Sequence, residues 1–272
     1  MRFRALLFQI HWRLRELTER INLLFSKDII LVYTMGKVGS TSIYYSLKRK
    51  FKGRVLFTHR MIEKNIEAYN KAFIKNNIKP HRSKVGELVL KKMASKNIKI
   101  ISLVREPIGR NISDFFQDLP VYLKNHRMID GMEPSDIHSQ FLQNYPHKIP
   151  LRWFDEEFKE TTGIDVFNTP FNKEEKYIVL KEGNVEALVL RVDLDDEKKE
   201  KIIGEFLEID HFHLERRNTA SSKPYSQAYN SFKEYCKFND DYVTNMLKSK
   251  YCTHFYSELE ISELTTQYEN KN

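Results

Sequence analysis

A lysine, two glycines and three hydroxyl residues stand together at residues 36–42, Gly-Lys-Val-Gly-Ser-Thr-Ser. They follow the run 29–33, which is too short for a helix and rich in β-branched residues, so it predicts a buried strand. The glycines permit a tight turn, and the hydroxyls suit the caps of a helix that begins at Ile43. Backbone N–H groups of residues 37–42 would then converge beside Lys37 at a helix N-terminus. We therefore predict a phosphate- or sulfate-binding loop.

The position of Lys37 distinguishes this loop from that of an ordinary NTPase. A Walker A loop places its lysine directly before Ser or Thr, after the second glycine, whereas Lys37 precedes Gly39. A glycine turn is a weak signal by itself, because a plain strand-to-helix connection with a surface lysine shows the same pattern. A second motif is needed to decide.

That second motif follows the apolar strand predicted at residues 98–104. Arg105 ends the strand, and Pro107 suits the first turn of a helix, which places Ser113 about two turns into that helix. Both Arg105 and Ser113 can then face the anion held by the first loop. An NTPase would be expected to show an acidic residue at such a strand end to hold magnesium, so the arginine counts against that class.

His59 follows a third short strand, predicted at residues 54–58. In open parallel sheets, ligands bind beyond the carboxyl ends of the strands, which would bring His59 close to the loop at 36–42. A histidine that only makes a hydrogen bond at the rim of the sheet fits the same pattern. Both interpretations stay open at this point.

The chain has 272 residues, a formal net charge of +8 and a pI near 9.2. This charge suits an anionic partner, whether nucleic acid, an anionic membrane surface, or an acidic cofactor and substrate. Cys236 and Cys252 have neither disulfide nor zinc spacing, which fits a reducing cytoplasm and indicates no metal site. No apolar run is long enough to span a membrane, and no signal peptide is visible.

Residues 1–26 predict an amphipathic N-terminal helix. Apolar residues recur at helical spacing from Phe3 to Leu24. Five arginines occur between these apolar residues: Arg2, Arg4, Arg13, Arg15 and Arg20. Such a helix packs on its own domain or lies on an anionic membrane, so contact of residues 1–25 with the inner face of the membrane stays open.

The rest of the chain alternates strands and helices. Further strands are expected at 177–180 and 187–192, with helices at 62–75, 84–95, 107–116, 135–144, 151–161, 195–206, 227–237 and 240–250. This order predicts an α/β fold with a central, mainly parallel sheet flanked by helices and a helical C-terminal region. We expect one main domain at 27–260 and a polar tail at 261–272 that need not be ordered.

Together, segments 37–42 and 105–113 resemble the two cofactor motifs of sulfotransferases that use 3′-phosphoadenosine 5′-phosphosulfate (PAPS), especially the carbohydrate sulfotransferases. Three later segments, 153–155, 188–191 and 254–257, resemble the bacterial capsular polysaccharide synthesis proteins within that group. The resemblance implies a P-loop-like three-layer sandwich and transfer of a sulfuryl group to a glycan hydroxyl, in a capsular polysaccharide or an exopolysaccharide.

The same resemblance implies roles for individual residues. Arg105 and Ser113 would hold the 3′-phosphate of PAPS. The residues implied around its 5′-phosphosulfate are Lys37, Val38, Gly39, Ser40, Thr41 and Ser42. Lys37 would also neutralise the charge that builds on the bridging oxygen, and no metal is required.

An acceptor hydroxyl also needs a base. His59 is the first choice, because its ordinary pKa lies near neutrality and its expected place is beside the loop. Some carbohydrate sulfotransferases use a histidine and others a glutamate, so Glu63 and Asp114 remain alternatives.

Two further segments carry basic residues that suit an acidic ligand. Residues 117–148, interrupted by prolines, would form a lid over the acceptor, and a late basic loop would close over the nucleotide. The residues concerned are His126, Arg127 and His138 in the first segment and Arg216, Arg217 and Lys223 in the second. Exposed basic residues without a ligand fit both patterns as well.

Two other classes of function stay open beside the sulfotransferase. A P-loop kinase or NTPase is disfavoured by the position of Lys37 and by the arginine at residue 105. A nucleic-acid-binding protein is motivated by charge alone, since no known binding motif is present. The resemblance therefore predicts a glycan partner and no nucleic acid.

Overall fold

The computed structural model describes residues 14, 17, 18, 21, 23–51, 55–80, 85–123, 129, 131–215 and 225–269. Several residues singled out above therefore lie outside the described part of the chain. These are most of the N-terminal helix together with His126, Arg127, Arg216, Arg217 and Lys223.

The described residues form an alternating series of strands and helices. The strands are β1 (Asp28–Tyr33), β2 (Val55–Thr58), β3 (Asn97–Val104), β4 (Tyr177–Glu182) and β5 (Val185–Arg191). The helices are α1 (Ser40–Lys50), α2 (Glu63–Lys75), α3 (Val85–Lys92), α4 (Pro107–Gln117), α5 (Leu119–Tyr122), α6 (Pro134–Asn144), α7 (Ile149–Trp153), α8 (Glu160–Thr162), α9 (Asp196–Leu207), α10 (Ser226–Tyr235), α11 (Asp240–Leu247), α12 (Lys250–Phe255) and α13 (Glu258–Tyr268). A π-helical turn, Phe154–Lys159, joins α7 to α8.

The strands form one sheet in the order β2-β1-β3-β5-β4. The pairs β1–β2, β1–β3 and β3–β5 are parallel, and only the hairpin partners β4 and β5 run antiparallel. β1 and β3 are almost wholly buried, as their continuous apolar runs predict for strands covered on both faces. The predicted α/β architecture, a mainly parallel sheet flanked by helices in a three-layer sandwich, is confirmed.

The order of the strands determines where a ligand can bind. The chain passes from β1 to β2 on one side and then returns to β3 on the other side of β1. Right-handed connections therefore place α1 on one face of the sheet and α2 with α3 on the opposite face. A crevice opens where such connections diverge, beyond the carboxyl ends of β1 and β3. Residues 34–39 follow β1 at this crevice, and Arg105 follows β3.

The start of α1 differs from its prediction. The helix begins at Ser40 and not at Ile43, and Gly39 is the N-cap residue, with φ 78° and no side-chain cap. The expectation that residues 40–42 cap the helix was therefore wrong. Glycine accepts this left-handed conformation without steric cost, so the turn ends earlier and the three hydroxyls enter the first helical turn.

The segment after Ile261 is helical and not a disordered tail. α13 continues to Tyr268, whose side chain is buried and whose hydroxyl donates to Glu106 Oε1 at 3.0 Å. The carbonyl oxygen of Tyr268 also accepts from the N–H of Phe238 at 2.8 Å. These contacts bind the polar helix to the core, whereas residues 270–272 lie outside the described part.

The membrane prediction for residues 1–25 falls mostly on residues that are not described. Leu14, Leu17 and Ile21 are helical and exposed, while Leu23 is buried. Across the described ranges, no helix has both the length and the apolar character needed to cross a bilayer.

Candidate functional site

The loop between β1 and α1 has an unusual backbone. Gly36, Lys37 and Gly39 all adopt left-handed conformations, with φ of 82°, 61° and 78°. For Lys37, which carries a Cβ atom, this conformation costs roughly 1–2 kcal/mol. Strain of this kind persists only where surrounding contacts enforce it, and it concentrates at ligand sites.

Two arginines hold the carbonyl groups of this loop. Arg110 donates to Met35 O at 2.9 Å and to Gly36 O at 3.2 Å, and Arg105 Nη1 donates to Lys37 O at 3.1 Å. The C=O and N–H groups of a trans peptide point in opposite directions. The N–H groups of residues 36–38, which follow these three carbonyls, therefore point away from the arginines. These N–H groups and those at the N-terminus of α1 are donors of the kind that bind anions.

Arg110 itself is buried and fully engaged. Its guanidinium lies 3.2 Å from Asp114 Oδ2 and donates to the Tyr145 hydroxyl at 2.6 Å, which in turn donates to Asp114 at 2.7 Å. Burial opposes the charge, but Asp114 and Tyr145 outweigh it and raise the pKa of Arg110. Sequence reasoning missed this residue. The sequence signal for a buried arginine was its position among the apolar residues of this helix.

The predicted motif residues meet at this edge of the sheet. Lys37 is half-buried, and its Nζ donates to Gln117 Oε1 at 2.5 Å. Arg110 and Gln117 both reach the loop from α4, and Ser113 lies between them on the same helix face, since residues three and four apart are neighbours. The structure thus brings Lys37, Arg105 and Ser113 to one region.

The remaining loop residues contribute mainly through their backbone. Val38 is buried in the core, and Gly39 is exposed at the helix N-terminus. Ser40 is buried and accepts a hydrogen bond from Thr34 Oγ1 at 3.3 Å. Thr41 and Ser42 are half-buried in the first turn of α1.

His59 lies beside the loop, as the sheet-edge argument predicted. Its Nδ1 is 2.7 Å from Thr34 O, so Nδ1 carries the proton and Nε2 carries the lone pair. A Cβ atom built on Gly36 would lie 3.6 Å from the His59 ring. Burial lowers the pKa of His59 to about 4, so the ring is neutral at pH 7.

The two alternative bases lie in different environments. Glu63 is the exposed first residue of α2. Asp114 is buried and bound by Arg110 and Tyr145.

Sequence reasoning also missed Asp118, which directly follows Gln117. Its Oδ2 accepts from the Tyr69 hydroxyl at 3.0 Å. Burial, followed by repulsion from Asp114, raises the pKa of Asp118 to about 6, while the charges of Lys37 and Arg60 oppose this rise. No spacing in the sequence marks this carboxyl, because its surroundings come from α2 and the loop after β1.

Two cavities lie in this part of the molecule. The smaller, of about 280 Å³, adjoins the N-terminus of α1 and is lined by residues that include Gly39, Ser42, Val192 and Lys199. The larger, of about 460 Å³, lies against α2 and α7, and Arg60, the residue after His59, is part of its wall. Its lining includes Arg60, Tyr69, Tyr122, Ile149 and Trp153.

His138 and Trp153 both pack with other residues of the fold. The ring of His138, on α6, lies 5.1 Å from that of Phe238, and burial lowers the pKa of this histidine. Trp153 is buried, and its Nε1 donates to His59 O at 3.1 Å. Trp153 therefore fixes the backbone beside the predicted base.

Comparison with known proteins adds one finding. Residues 129–257 match a family model. The family is described as putative capsular polysaccharide synthesis protein. The match supports the resemblance to capsular polysaccharide synthesis proteins predicted from the sequence. Its range contains the α7 wall of the larger cavity but neither the loop at 36–42 nor Arg105 and Ser113. Searches of curated proteins and of solved structures return no match.

Replacing Arg110 should show how much the fold depends on its contacts. In Arg110→Met, Asp114 stays buried without its partner and two loop carbonyls lose their donor, so we expect the free energy of unfolding to fall by about 3–5 kcal/mol. Urea denaturation measures this change. Arg152→Met is a suitable control, because exposed Arg152 lies 3.8 Å from Glu156 and its loss should cost less than about 1 kcal/mol. A loss of similar size in both variants would contradict the assignment.

The lowered pKa of His59 predicts a pH dependence of stability. Between pH 6.5 and about 4 the His59 side chain binds a proton in the unfolded chain but not in the folded chain. The free energy of unfolding therefore decreases as pH falls through this window. Asp118, with its raised pKa, acts in the opposite direction between pH 3.8 and about 6. The difference in unfolding free energy between wild type and His59→Gln isolates the histidine. This difference should decrease by up to about 3 kcal/mol from pH 7 to pH 4. A difference that stays constant would show that the pKa of His59 is the same in the folded and unfolded chains.

Proposed function

We propose that this chain transfers the sulfuryl group of PAPS to a hydroxyl of a carbohydrate acceptor, in a capsular polysaccharide or an exopolysaccharide. The observation that carries the proposal is the hydrogen bond from Arg105 Nη1 to Lys37 O, 3.1 Å long, between residues 68 positions apart. It joins the two motifs at the carboxyl ends of the two central strands, where open α/β sheets bind ligands.

The residues present fit a cofactor with two separate anionic groups. The N–H groups of residues 36–38, the N-terminus of α1 and the Lys37 ammonium suit the 5′-phosphosulfate. Arg105 approaches from the opposite side of the same peptides, and with Ser113 it suits the 3′-phosphate. PAPS, when bound, supplies an activated sulfuryl group on a phosphate leaving group.

Lys37 would then act on the leaving group and His59 on the acceptor hydroxyl. As the acceptor oxygen bonds to sulfur, the bond from sulfur to the phosphate oxygen breaks, and Lys37 neutralises the charge left on that oxygen. His59 Nε2 takes the proton of the acceptor hydroxyl. A ring with a pKa of about 4 is a weak base, but its lone pair is available throughout the neutral range. Glu63 and Asp114 are less suited, since one is exposed and the other is bound.

The two cavities suit the two ligands. We assign the smaller one, at Gly39 and Ser42 on the helix N-terminus, to the nucleotide, and the larger one, beside His59, to the acceptor. In this scheme the loop separates the substrates and Lys37 lies between them. The basic N-terminal segment and the two buried thiols agree with a cytoplasmic location, peripheral to the inner face of the membrane.

Calorimetry with 3′-phosphoadenosine 5′-phosphate (PAP), AMP and magnesium-ATP tests the cofactor. The wild type should bind PAP in the micromolar range and bind AMP, which lacks the 3′-phosphate, roughly ten- to a hundredfold more weakly, as expected for one charge-assisted contact. Arg105→Ala should bind PAP as weakly as the wild type binds AMP, and its main kinetic effect should be a raised KM for PAPS. Equal affinity for PAP and ATP would favour a kinase or NTPase. Binding of RNA with an affinity that falls steeply as salt rises would favour a nucleic-acid-binding protein.

Lys37→Ala should lower the turnover number for sulfuryl transfer by about a hundred- to a thousandfold, because it removes the donor at the leaving oxygen. Transfer of ³⁵S from labelled PAPS to a glycan acceptor measures it. The melting temperature should stay close to that of the wild type, since Lys37 is a loop residue. Lys64→Ala, which removes an exposed lysine of α2 paired with Glu160, is the matched control and should retain full activity. Wild-type turnover in Lys37→Ala would refute its role.

A further inference from the structure

The larger cavity has the size and lining of a ligand site. Its volume of about 460 Å³ lies within the usual range for small-molecule pockets. Ala68, Ala72, Tyr122 and Ile149 give it apolar walls, against which a sugar ring can pack. What distinguishes it chemically is a cation on the wall nearest His59.

That cation is Arg60. Its guanidinium carbon lies 4.0 Å from the centre of the Tyr69 ring, and the residue is half-buried. Within the described part of the chain its guanidinium forms neither an ion pair nor a hydrogen bond; only its backbone makes hydrogen bonds, with the Thr58 hydroxyl. Contact with the Tyr69 ring restricts the movement of the guanidinium on that side, and its N–H donors lie around its periphery.

The other charges described on the cavity wall are exposed or engaged. Glu157 is buried and accepts the N–H groups of Met61 and Ile62. Arg152 lies 3.8 Å from Glu156, and both are exposed. Lys148 is exposed at the rim. Arg60 therefore supplies a half-buried positive charge that an anionic ligand can neutralise.

Short contacts connect this cavity to the reacting region. Arg60 follows His59 in the chain, and Trp153 of the cavity wall donates to His59 O. Tyr69, under the guanidinium, donates to Asp118, the residue after the Gln117 that accepts from Lys37. A ligand held at Arg60 would thus lie on the acceptor side of Lys37.

We propose that this cavity binds the acceptor through a carboxylate that pairs with Arg60, so that the acceptor is a uronate-containing glycan. This inference rests on the proposed function. A guanidinium presents two parallel N–H groups to a carboxylate in one plane, and contact with the Tyr69 ring keeps the Arg60 guanidinium on the cavity wall. A hydroxyl-only sugar would leave this half-buried charge with only the Tyr69 ring and the longer-range attraction of Asp118.

Titration of the PAP complex with matched glycans tests the inference. The probes are hexasaccharides of hyaluronan and of alginate, the same chains after reduction of their carboxyl groups to alcohols, and a sulfated hexasaccharide without carboxylates. We expect the carboxylated probes to bind roughly ten- to a hundredfold more tightly than the reduced ones. Arg60→Met should lose this preference while its affinity for PAP stays within about twofold. Lys64→Met, which removes an exposed and paired lysine of α2 that does not line the cavity, should retain it.

Each outcome bears on one of the two proposals. PAP binding with equal or absent binding of the carboxylated and reduced probes overturns the inference and leaves the cofactor assignment intact. Unchanged preference in Arg60→Met overturns it too, as does tighter binding of the sulfated, carboxylate-free probe, which would show an anion site of another kind. Failure of the wild type to bind PAP contradicts the proposed function instead.

Discussion

The site depends on a buried guanidinium. Arg110, 1% exposed, holds the carbonyls of Met35 and Gly36 in place, and Asp114 with Tyr145 satisfies its charge. Taking such a pair out of water is expensive, so its contribution to net stability is small, whereas breaking it is very unfavourable. The consequence is rigidity. A loop with three left-handed residues would otherwise relax, and the donors that it presents to an anion would lose their common direction.

The same peptides serve two purposes because the peptide unit is planar. Every carbonyl drawn toward Arg110 or Arg105 turns the following N–H group to the other side of the loop. The arginines therefore orient an anion site without occupying it. They also explain how Lys37 tolerates a positive φ: the strain is offset by hydrogen bonds to its own carbonyl and to the two before it.

The sequence predicts those parts of the fold that depend on local pattern. Short apolar runs predicted β1, β2 and β3. Because ligands bind beyond the carboxyl ends of parallel strands, the position of His59 after β2 predicted that it lies beside the loop. Predictions failed where a distant residue decides the outcome. The last helix persists because Tyr268 reaches Glu106 in the core, which no pattern near residue 268 reveals. Arg110 lay inside a recognised motif, yet its partner Tyr145 comes from another helix, so only the folded chain shows that it shapes the loop.

Arg110 and Arg60, both near this edge of the sheet, differ in what neutralises their charges. Arg110 has a carboxylate, a phenol and two carbonyls, so nothing remains for a ligand. Arg60 has an aromatic face on one side and the cavity on the other. Cation–π attraction is too weak to replace full hydration of a half-buried charge, so an anion that reaches Arg60 gains most of its interaction energy there. Among the described residues, Arg110 has a complete set of partners, whereas the Arg60 guanidinium has no ion pair. The residue that builds the site is therefore distinct from the residue that is able to select its ligand.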